Sequence, residues 1–321
     1  MFIMHHNSVL LHEAINALNI NPSGIYIDGT FGLGGHSHYI LSKLTSHGRL
    51  IAMDRDWSAV NIGEVLTKQD GRFSIIHAPF SKMLRCIYNM NLVGLINGIL
   101  LDLGVCESQL TDSSRGFSFM RDGPLDMRMD NSVGQSAYEW IAKASQKDIE
   151  WVLRTFGEEK LSKKIARSIV LKREVYPIDR TSALSEIISD TVLYYNNRYN
   201  RRKHPATRSF LAIRIYINEE LVEIMKILQD VFKLLAPGGR LVVISFNSLE
   251  DRIVKKFINQ YSRVFAYPPK IPLTHTQLLH KYSGTMKFKN LGKIKPTVLE
   301  IKKNIRARSA ILRYAEKLIY M

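Results

Sequence analysis

Three acids and a run of glycines mark where this chain could do chemistry. The run Asp28-Gly29-Thr30-Phe31-Gly32-Leu33-Gly34-Gly35-His36 holds four glycines in nine residues, and Asp54 follows twenty residues after Gly34. Glycine lets a backbone turn tightly and approach a ligand where a Cβ would block it. An acid at the end of the next strand accepts hydrogen bonds from a ribose diol. Together these residues describe a site for a nucleoside-bearing cofactor. The spacing is not a strict G-x-G-x-x-G, and glycines alone often make only a turn, so the reading rests on what flanks them. Two cofactor classes fit. A dinucleotide needs pyrophosphate contacts at a helix N-terminus. S-adenosylmethionine carries a ribose and adenine but no phosphate, and its sulfonium and amino groups are cationic, which suits carboxylates and carbonyls.

The elements that must hold these residues are legible in outline. Gly24-Ile25-Tyr26-Ile27 reads as a strand into the glycine turn, and Ser37 to Leu41 as the helix out of it. A helix over Val9 to Leu18 precedes them. Arg49 to Met53 reads as the next strand, ending at Asp54, with a helix from about Ser58 to Leu66 behind it. Phe73 to His77 is a third strand leading to Phe80. Ile96 to Asp102 is a fourth, nearly all apolar as a buried parallel strand should be. Strands alternating with helices predict a parallel sheet with right-handed crossovers, whose ligands sit beyond the carboxyl ends of the strands. Asp28, Asp54, Phe80 and Asp102 all fall at such ends. Each has a structural alternative: an acid there can cap the next helix, and Phe80 can belong to the core.

The alternation stops after the fourth strand. Asp112 to Asp130 reads as a long ordered loop at the active site, with Gly116, Gly123 and Pro124 among aromatics and paired charges. From about Ser136 to Asn196 the chain reads as helices. Ile149, Val152, Leu153 and Phe156 fall at helical spacing behind a Ser145/Asp148 capping box, with Gly157 as a stop. Leu161, Ile165, Ile169 and Val170 make a second stripe, and Thr181 or Ser182 caps a third helix. A basic cluster, Arg201-Arg202-Lys203-His204, closes this stretch. Ala206 to Leu235 then reads as one long helix and Leu241 to Phe246 as a buried strand, followed by a helix to about Asn259. The predicted organisation is residues 1–132 and 206–321 forming one α/β domain, with 133–205 inserted as a helical substrate-recognition domain.

The balance of charge points to a phosphate-rich partner. The 321 residues carry a formal net charge of +16. From Asp251 onward, sixteen Lys or Arg face three acids, Asp251, Glu300 and Glu316. Tyr282, Phe288, Arg306, Arg308, Arg313 and Tyr314 interleave aromatics with this charge, as nucleic-acid binders do. A solvated lysine-rich face is the competing account. No apolar run approaches the ~20 residues of a membrane span, and the first residues do not read as a signal peptide. Cys86 and Cys106 are too few and too scattered for a metal site or a disulfide framework. A reducing, cytoplasmic setting is expected. Nothing in the sequence fixes the oligomeric state.

Longer motifs carry a resemblance. Val9-Leu10-Leu11-His12-Glu13-Ala14, Tyr26 to Ser37, Gly98 to Val105, Arg115 to Asp130, Gly157-Glu158-Glu159, His204-Pro205-Ala206-Thr207-Arg208, Pro237 to Lys255 and Asn304 to Ser309 resemble the bacterial 16S rRNA (cytosine-N4)-methyltransferase family (RsmH/MraW). The resemblance covers essentially the whole chain. It implies a class I S-adenosylmethionine-dependent methyltransferase, a Rossmann-like doubly wound α/β sheet with an inserted helical domain. It implies S-adenosylmethionine as cofactor, held by Gly34, Gly35 and His36 on the turn, Asp54 at the ribose, Phe80 near the adenine, and Asp102 and Gln109 near the methionine end. It implies 16S rRNA in the small ribosomal subunit as partner. Three departures stand out. Cys106-Glu107-Ser108 replaces the usual Ser-Ser-Pro, Phe210-Leu211-Ala212 replaces Phe-Gln-Ala, and Asn247 stands where the family has His in Ser-Phe-His-Ser-Leu-Glu-Asp.

Methyl transfer to an amine is an in-line displacement, so positioning supplies much of the rate. The lone pair of cytosine N4 is delocalised into the ring. An acceptor holding an N4 hydrogen would orient the amine and disperse the developing charge. Asp102 is the first candidate, against the alternative that it only binds cofactor. Asn247 is the second, since Asn keeps a hydrogen bond but exchanges no proton near neutral pH. The usual amino-methyltransferase signature of Asn or Asp, two prolines and an aromatic is absent; Asp102-Leu103-Gly104-Val105 stands in its place. The base must leave its stack, and Phe117, Phe119 and Phe246 are candidates to receive it. Arg128, Arg208 and Arg214 are candidates for phosphate, against ion pairs with Asp126, Glu219 or Glu220. Two other functions stay open: a catalytically impaired rRNA-binding assembly factor, kept alive by Asn247, and an NAD-dependent oxidoreductase on the same fold.

Overall fold

A computed structural model describes residues 8–195, 204–262 and 287–319. The chain divides into two compact units, one reaching Gly104 and resuming at Leu221, the other spanning Val105–Glu220. The first unit is built on a seven-stranded sheet. Its strands are β1 (Ile25–Asp28), β2 (Arg49–Asp54), β3 (Phe73–His77), β4 (Ile96–Asp102), β5 (Leu235–Ser245), β6 (Phe288–Ile294) and β7 (Ile311–Lys317), in the order β3-β2-β1-β4-β5-β7-β6. The first five pair in parallel, and β7 pairs antiparallel with both β5 and β6. The direction of winding reverses between β1 and β4, and such a reversal opens a crevice at the carboxyl ends of the strands.

Side chains of the parallel strands alternate between two apolar layers. Tyr26, Leu50, Ala52, Leu100, Val242 and Ile244 join one core with α1 (Leu11–Leu18) and α2 (Gly35–Leu41). Ile27, Ile51, Met53, Ile99, Leu101, Leu241 and Val243 join the other. Helices starting at Met83, Glu220 and Ser248 cover that second face. Burial on both faces is why these strands read as unbroken apolar runs. Two parts of the chain depart from the sequence reading. The helix expected over 206–235 is two helices, Thr207–Ile217 and Glu220–Leu234, broken where Glu219 takes a left-handed backbone (φ 51°). The basic C-terminal segment, expected only as a charged surface, supplies β6 and β7.

The second unit packs five helices, starting at Ala137, Gln146, Ser162, Thr181 and Thr207, around Ile149, Leu153, Ile165, Ile169, Leu184 and Ile213. Ser145 caps the second of these as its sequence suggests, accepting the Asp148 amide at 3.1 Å. Leu125 and Met127 from the preceding loop and Phe210 from the last helix share this core. The unit therefore extends beyond 133–205 at both ends, because the loop and the helix after His204 bury their apolar side chains there. The loop over 112–130 is ordered by polar ties. Buried Asn218 accepts the Met129 amide and donates to the Met127 carbonyl, both at 2.7 Å. Asp122 accepts the Ser182 amide and so caps the helix Thr181–Tyr195. A Cβ on Gly123 would sit 1.8 Å from the Ser113 carbonyl oxygen, so only glycine fits there.

Candidate active site

The crevice gathers three acids from three adjacent strands. Asp28 ends β1, Asp54 ends β2 and Asp102 ends β4. Between them runs the glycine turn. Its Gly34 has φ 80°, and a Cβ there would lie 2.8 Å from the Phe31 ring, so the turn needs glycine for both its backbone and its packing. The Phe31 amide donates to the Met53 carbonyl and the Gly29 amide to the Leu100 carbonyl, pinning the turn across β2 and β4.

Asp28 is 1 % exposed and serves the turn itself. It accepts the Thr30 amide at 3.1 Å and the Ser37 hydroxyl at 2.7 Å, and burial pushes its carboxyl up. Asp54 is half-buried, accepting the Gly32 amide at 2.8 Å on one oxygen and the Asp56 amide at 2.9 Å on the other. An ionised carboxylate offers about four lone-pair sites, so each oxygen keeps one for a ligand hydroxyl. Burial raises the Asp54 carboxyl to about 6 despite those two amides, with the charges of Asp56 and Asp28 adding to it.

Asp102 differs from both. Its amide donates to the Thr30 hydroxyl oxygen at 2.6 Å, but its Oδ1 is buried with no hydrogen-bond partner. Its Oδ2 lies 3.7 Å from Nδ1 of His36. His36, 5 % exposed, points Nε2 at the Val9 carbonyl at 3.2 Å. A carbonyl only accepts, so Nε2 carries the proton and Nδ1 faces the carboxylate. Burial, then the charges of Asp28 and Glu250, pushes the Asp102 carboxyl well up. Among the described residues, Asp28, Asp54 and Asp102 have no Lys or Arg partner; His36 is the sole basic group at ion-pair distance from any of them. A buried carboxylate cluster without a cation is costly. No group of described residues is arranged to hold a metal ion. A ligand carrying positive charge and hydroxyls, such as S-adenosylmethionine, fits these acceptors; a pyrophosphate would face repulsion.

Phe80 opens a short 3-10 helix after β3 and is half-buried, its Cβ beside Gly29. Gly35 and His36 begin α2. Gln109 belongs to the second unit. It is 5 % exposed, and its Oε1 accepts the Cys106 amide at 3.1 Å, capping the helix Glu107–Thr111. Asn247 is also a cap. Its Oδ1 accepts the amides of Leu249 and Glu250, both at 3.0 Å, while buried Glu250 accepts the amides of Phe246 and Asn247. That reciprocal pair is a capping box for the helix Ser248–Ser262. The Nδ2 of Asn247 and the hydroxyl of Ser245 are buried without partners beside it in sequence.

Several expected ligand contacts are instead structural. Arg128 pairs with Asp126 through two bonds of 2.8 and 2.7 Å, and Arg214 with Glu220 through two of 2.7 and 2.9 Å. Both arginines thus form the ion pairs weighed as the alternative to phosphate contacts. Arg208 stays exposed and donates weakly to the Glu158 carbonyl at 3.4 Å. Phe117 is buried, and Phe119 is stacked on His204 (4.5 Å) and edge-on to Phe210 (5.1 Å). Phe246 is half-buried, its ring 3.7 Å from where a Cβ on Gly104 would stand. Phe288 is wholly buried, and Arg313 is held by Asp251 at 2.6 and 3.0 Å. Tyr282 and Arg201-Arg202-Lys203 lie outside the described residues. Thr30, Ser37 and Glu250 were missed by the sequence reading. The first two lie in or beside the glycine run, and Asn247-x-x-Glu250 is a legible capping-box spacing.

The comparisons with known proteins bear on the same chain. A family model described as the MraW methylase family matches residues 3–318. Ribosomal RNA small subunit methyltransferase H of Blochmanniella pennsylvanica (strain BPEN) is 57% identical over 320 residues, covering 99% of this chain and 96% of that protein. Among solved structures, an rRNA methylase from Streptococcus thermophilus aligns with a TM-score of 0.39 at 11% identity, over 98% of this chain and 99% of that one. A SAM-dependent methyltransferase from Aquifex aeolicus aligns with a TM-score of 0.37 at 9% identity, over 96% and 89%. Membership is carried by the sequence matches alone.

Proposed function

The chain belongs to the MraW methylase family, and we propose that it transfers a methyl group from S-adenosylmethionine to the N4 amine of a cytidine in 16S ribosomal RNA of the small subunit. The observation that carries the cofactor is the set of strand-end carboxylates, Asp28, Asp54 and Asp102, that no arginine or lysine among the described residues neutralises. When bound, S-adenosylmethionine supplies a methyl on a cationic sulfur. Asp54 would accept the ribose hydroxyls with its free lone pairs. Gly34 and Gly35 let the backbone approach, and Phe80 borders the adenine side. His36 and Gln109 are the further members of the binding set that the family resemblance implies.

Asp102 holds the substrate. Its unpartnered Oδ1 accepts one N4 hydrogen, which turns the amine lone pair toward the methyl. With the methyl that the bound cofactor would supply, N4 would gain positive charge and become acidic. Asp102 stabilises that charge and takes the proton released, for which a raised carboxyl is well suited. His36 lies next to it with Nδ1 facing the carboxylate. No role in this scheme requires a histidine at position 247. The helical unit serves as the RNA-recognition domain, and the substrate sets the protein in the cytoplasm.

Purified protein incubated with methyl-labelled S-adenosylmethionine and unmethylated small ribosomal subunits is expected to label one cytidine in 16S rRNA. Binding to the subunit without label transfer would make the protein an assembly factor instead. Calorimetry that gave tight NAD binding and no S-adenosylmethionine binding would return the oxidoreductase reading.

A further inference from the structure

From Phe288 onward the cations of the basic C-terminal segment fall, among the described residues, into three groups. Lys289, Lys293 and Lys295 are exposed on or just after β6, the edge strand of the sheet. Lysines there block edge-to-edge pairing with other chains, so they need no ligand. Arg313 and Lys317 are spent inside the fold: Arg313 on Asp251, and Lys317 on the carbonyls of Phe232 and Leu235 at 2.7 and 2.6 Å. The third group lies neither on the edge strand nor, for Lys302, Lys303 and Arg308, in any ion pair among the described residues. Lys302 and Lys303 end the helix Val298–Lys303, and Arg306 and Arg308 lie on the 3-10 helix Ile305–Ser309. All four are exposed. They stand among exposed apolar side chains, Val298 at 70%, Leu299 at 71% and Ile305 at 68%.

This segment is wired to the crevice. Glu300 accepts the Leu10 amide at 2.7 Å. The next residue back, Val9, is the partner of His36, whose other ring nitrogen faces Asp102. The buried Ala307 and Ala310 seat the turn in the same core as α1 and α2. We propose that residues 298–308 form the surface that grips the RNA strand flanking the target nucleotide, with Lys302, Lys303 and Arg308 on phosphates and Leu299 and Ile305 against ribose or base faces. Cations beside apolar side chains suit a single strand, whose phosphates and unstacked bases are both exposed. The proposal rests on the RNA methyltransferase reading.

The test compares the full chain with K302Q/K303Q/R308Q and, as a control of equal charge loss, K289Q/K293Q/K295Q. Equilibrium binding to a single-stranded 16S-derived fragment is measured between low and physiological salt, with S-adenosylmethionine affinity and methyl transfer measured in parallel. Losing three phosphate contacts lowers the log–log salt slope by about 2 and weakens binding about tenfold to a hundredfold. The control is expected to stay within about threefold, and cofactor affinity is expected to hold in both. An unchanged slope in the first variant, or an equal loss in the control, overturns the surface. So does a first variant that binds the fragment normally but loses affinity for the assembled subunit, which would assign the segment to a ribosomal protein. Wild-type protein that transfers no methyl and binds no RNA overturns the methyltransferase reading and this surface with it; wild-type transfer with an unaltered variant overturns the surface alone.

Discussion

In the helical unit two half-buried or buried acids, Glu220 and Asp126, are each held by an arginine. Arg214 holds Glu220 through two bonds with side chains only 15% and 8% exposed, and Arg128 holds Asp126 in the same two-pronged way. At the strand ends of the sheet unit, Asp28, Asp54 and Asp102 hold backbone amides, one serine and one histidine contact, but no arginine or lysine among the described residues. The contrast separates architecture from chemistry. A buried acid that completes its charge balance within the protein fixes a loop or a helix end. One that leaves the balance open is unfavourable alone and waits for a cation. The pKa directions follow the same line. Asp126 is held down by the Arg128 beside it, despite its burial, while Asp54 and Asp102 are pushed up.

The widest separation between the regions should appear in stability. Arg214→Ala leaves Glu220 buried without its partner, at a cost of about 3–5 kcal/mol. Chemical denaturation should show this loss, while folded protein keeps its affinity for S-adenosylmethionine. A cost below about 1 kcal/mol would put the pair in the class of surface ion pairs and remove half of the contrast. Asp102→Asn should do the reverse. Transfer to RNA falls by about a hundredfold or more as a charge-stabilising acceptor is lost, while the melting temperature holds or rises because a destabilising charge is gone. Undiminished transfer would make Asp102 a structural residue.

How far this contrast could be read beforehand depended on what fixes each part. The five parallel strands were legible because burial on both faces leaves unbroken apolar runs such as Ile99-Leu100-Leu101. Asp28, Asp54 and Asp102 were legible because each ends such a run. β6 and β7 were hidden. Phe288 and Leu312 are inward residues among lysines and arginines that answer to an edge and to solvent, so the period of two is masked by charge. The break at Asn218-Glu219 has no glycine or proline to announce it; the clamp that Asn218 makes on Met127 and Met129 is a tertiary demand. Arginine partners were named as alternatives but not chosen, since composition places Arg214 near Glu220 without saying which way either side chain turns.

A smaller effect should sharpen the crevice side of the comparison. The Asp54 carboxyl is raised in the folded chain from about 3.8 to about 6. The folded state therefore binds this proton more tightly than the unfolded chain, and unliganded stability falls as pH rises from about 4 to about 6. A bound cation favours the ionised form. Cofactor binding near pH 6 should then release protons, and affinity should weaken by up to tenfold per unit as pH drops below about 6. Calorimetry in buffers of different ionisation enthalpy measures the release, and Asp54→Asn should abolish Asp54's share of it. Binding without proton release near pH 6 would mean that Asp54 is already ionised without a ligand, like the paired acids of the helical unit.

Asn247 tests where the boundary between the two classes runs. Its Oδ1 caps the helix that follows β5, so Asn247→Ala should cost about 1 kcal/mol. Asn247→Asp should keep most of that stability, because a carboxylate accepts the same two amides. If capping is all that Asn247 does, both variants transfer methyl within about threefold of wild type once folded. Its Nδ2, however, is buried with no partner, the same condition that marks Oδ1 of Asp102. A carboxylate in its place supplies the cap but no N–H donor. A hundredfold loss of transfer in Asn247→Asp with stability retained would therefore assign Nδ2 to the substrate, and the residue would pass from the architectural class to the open-balance class that Asp102 defines.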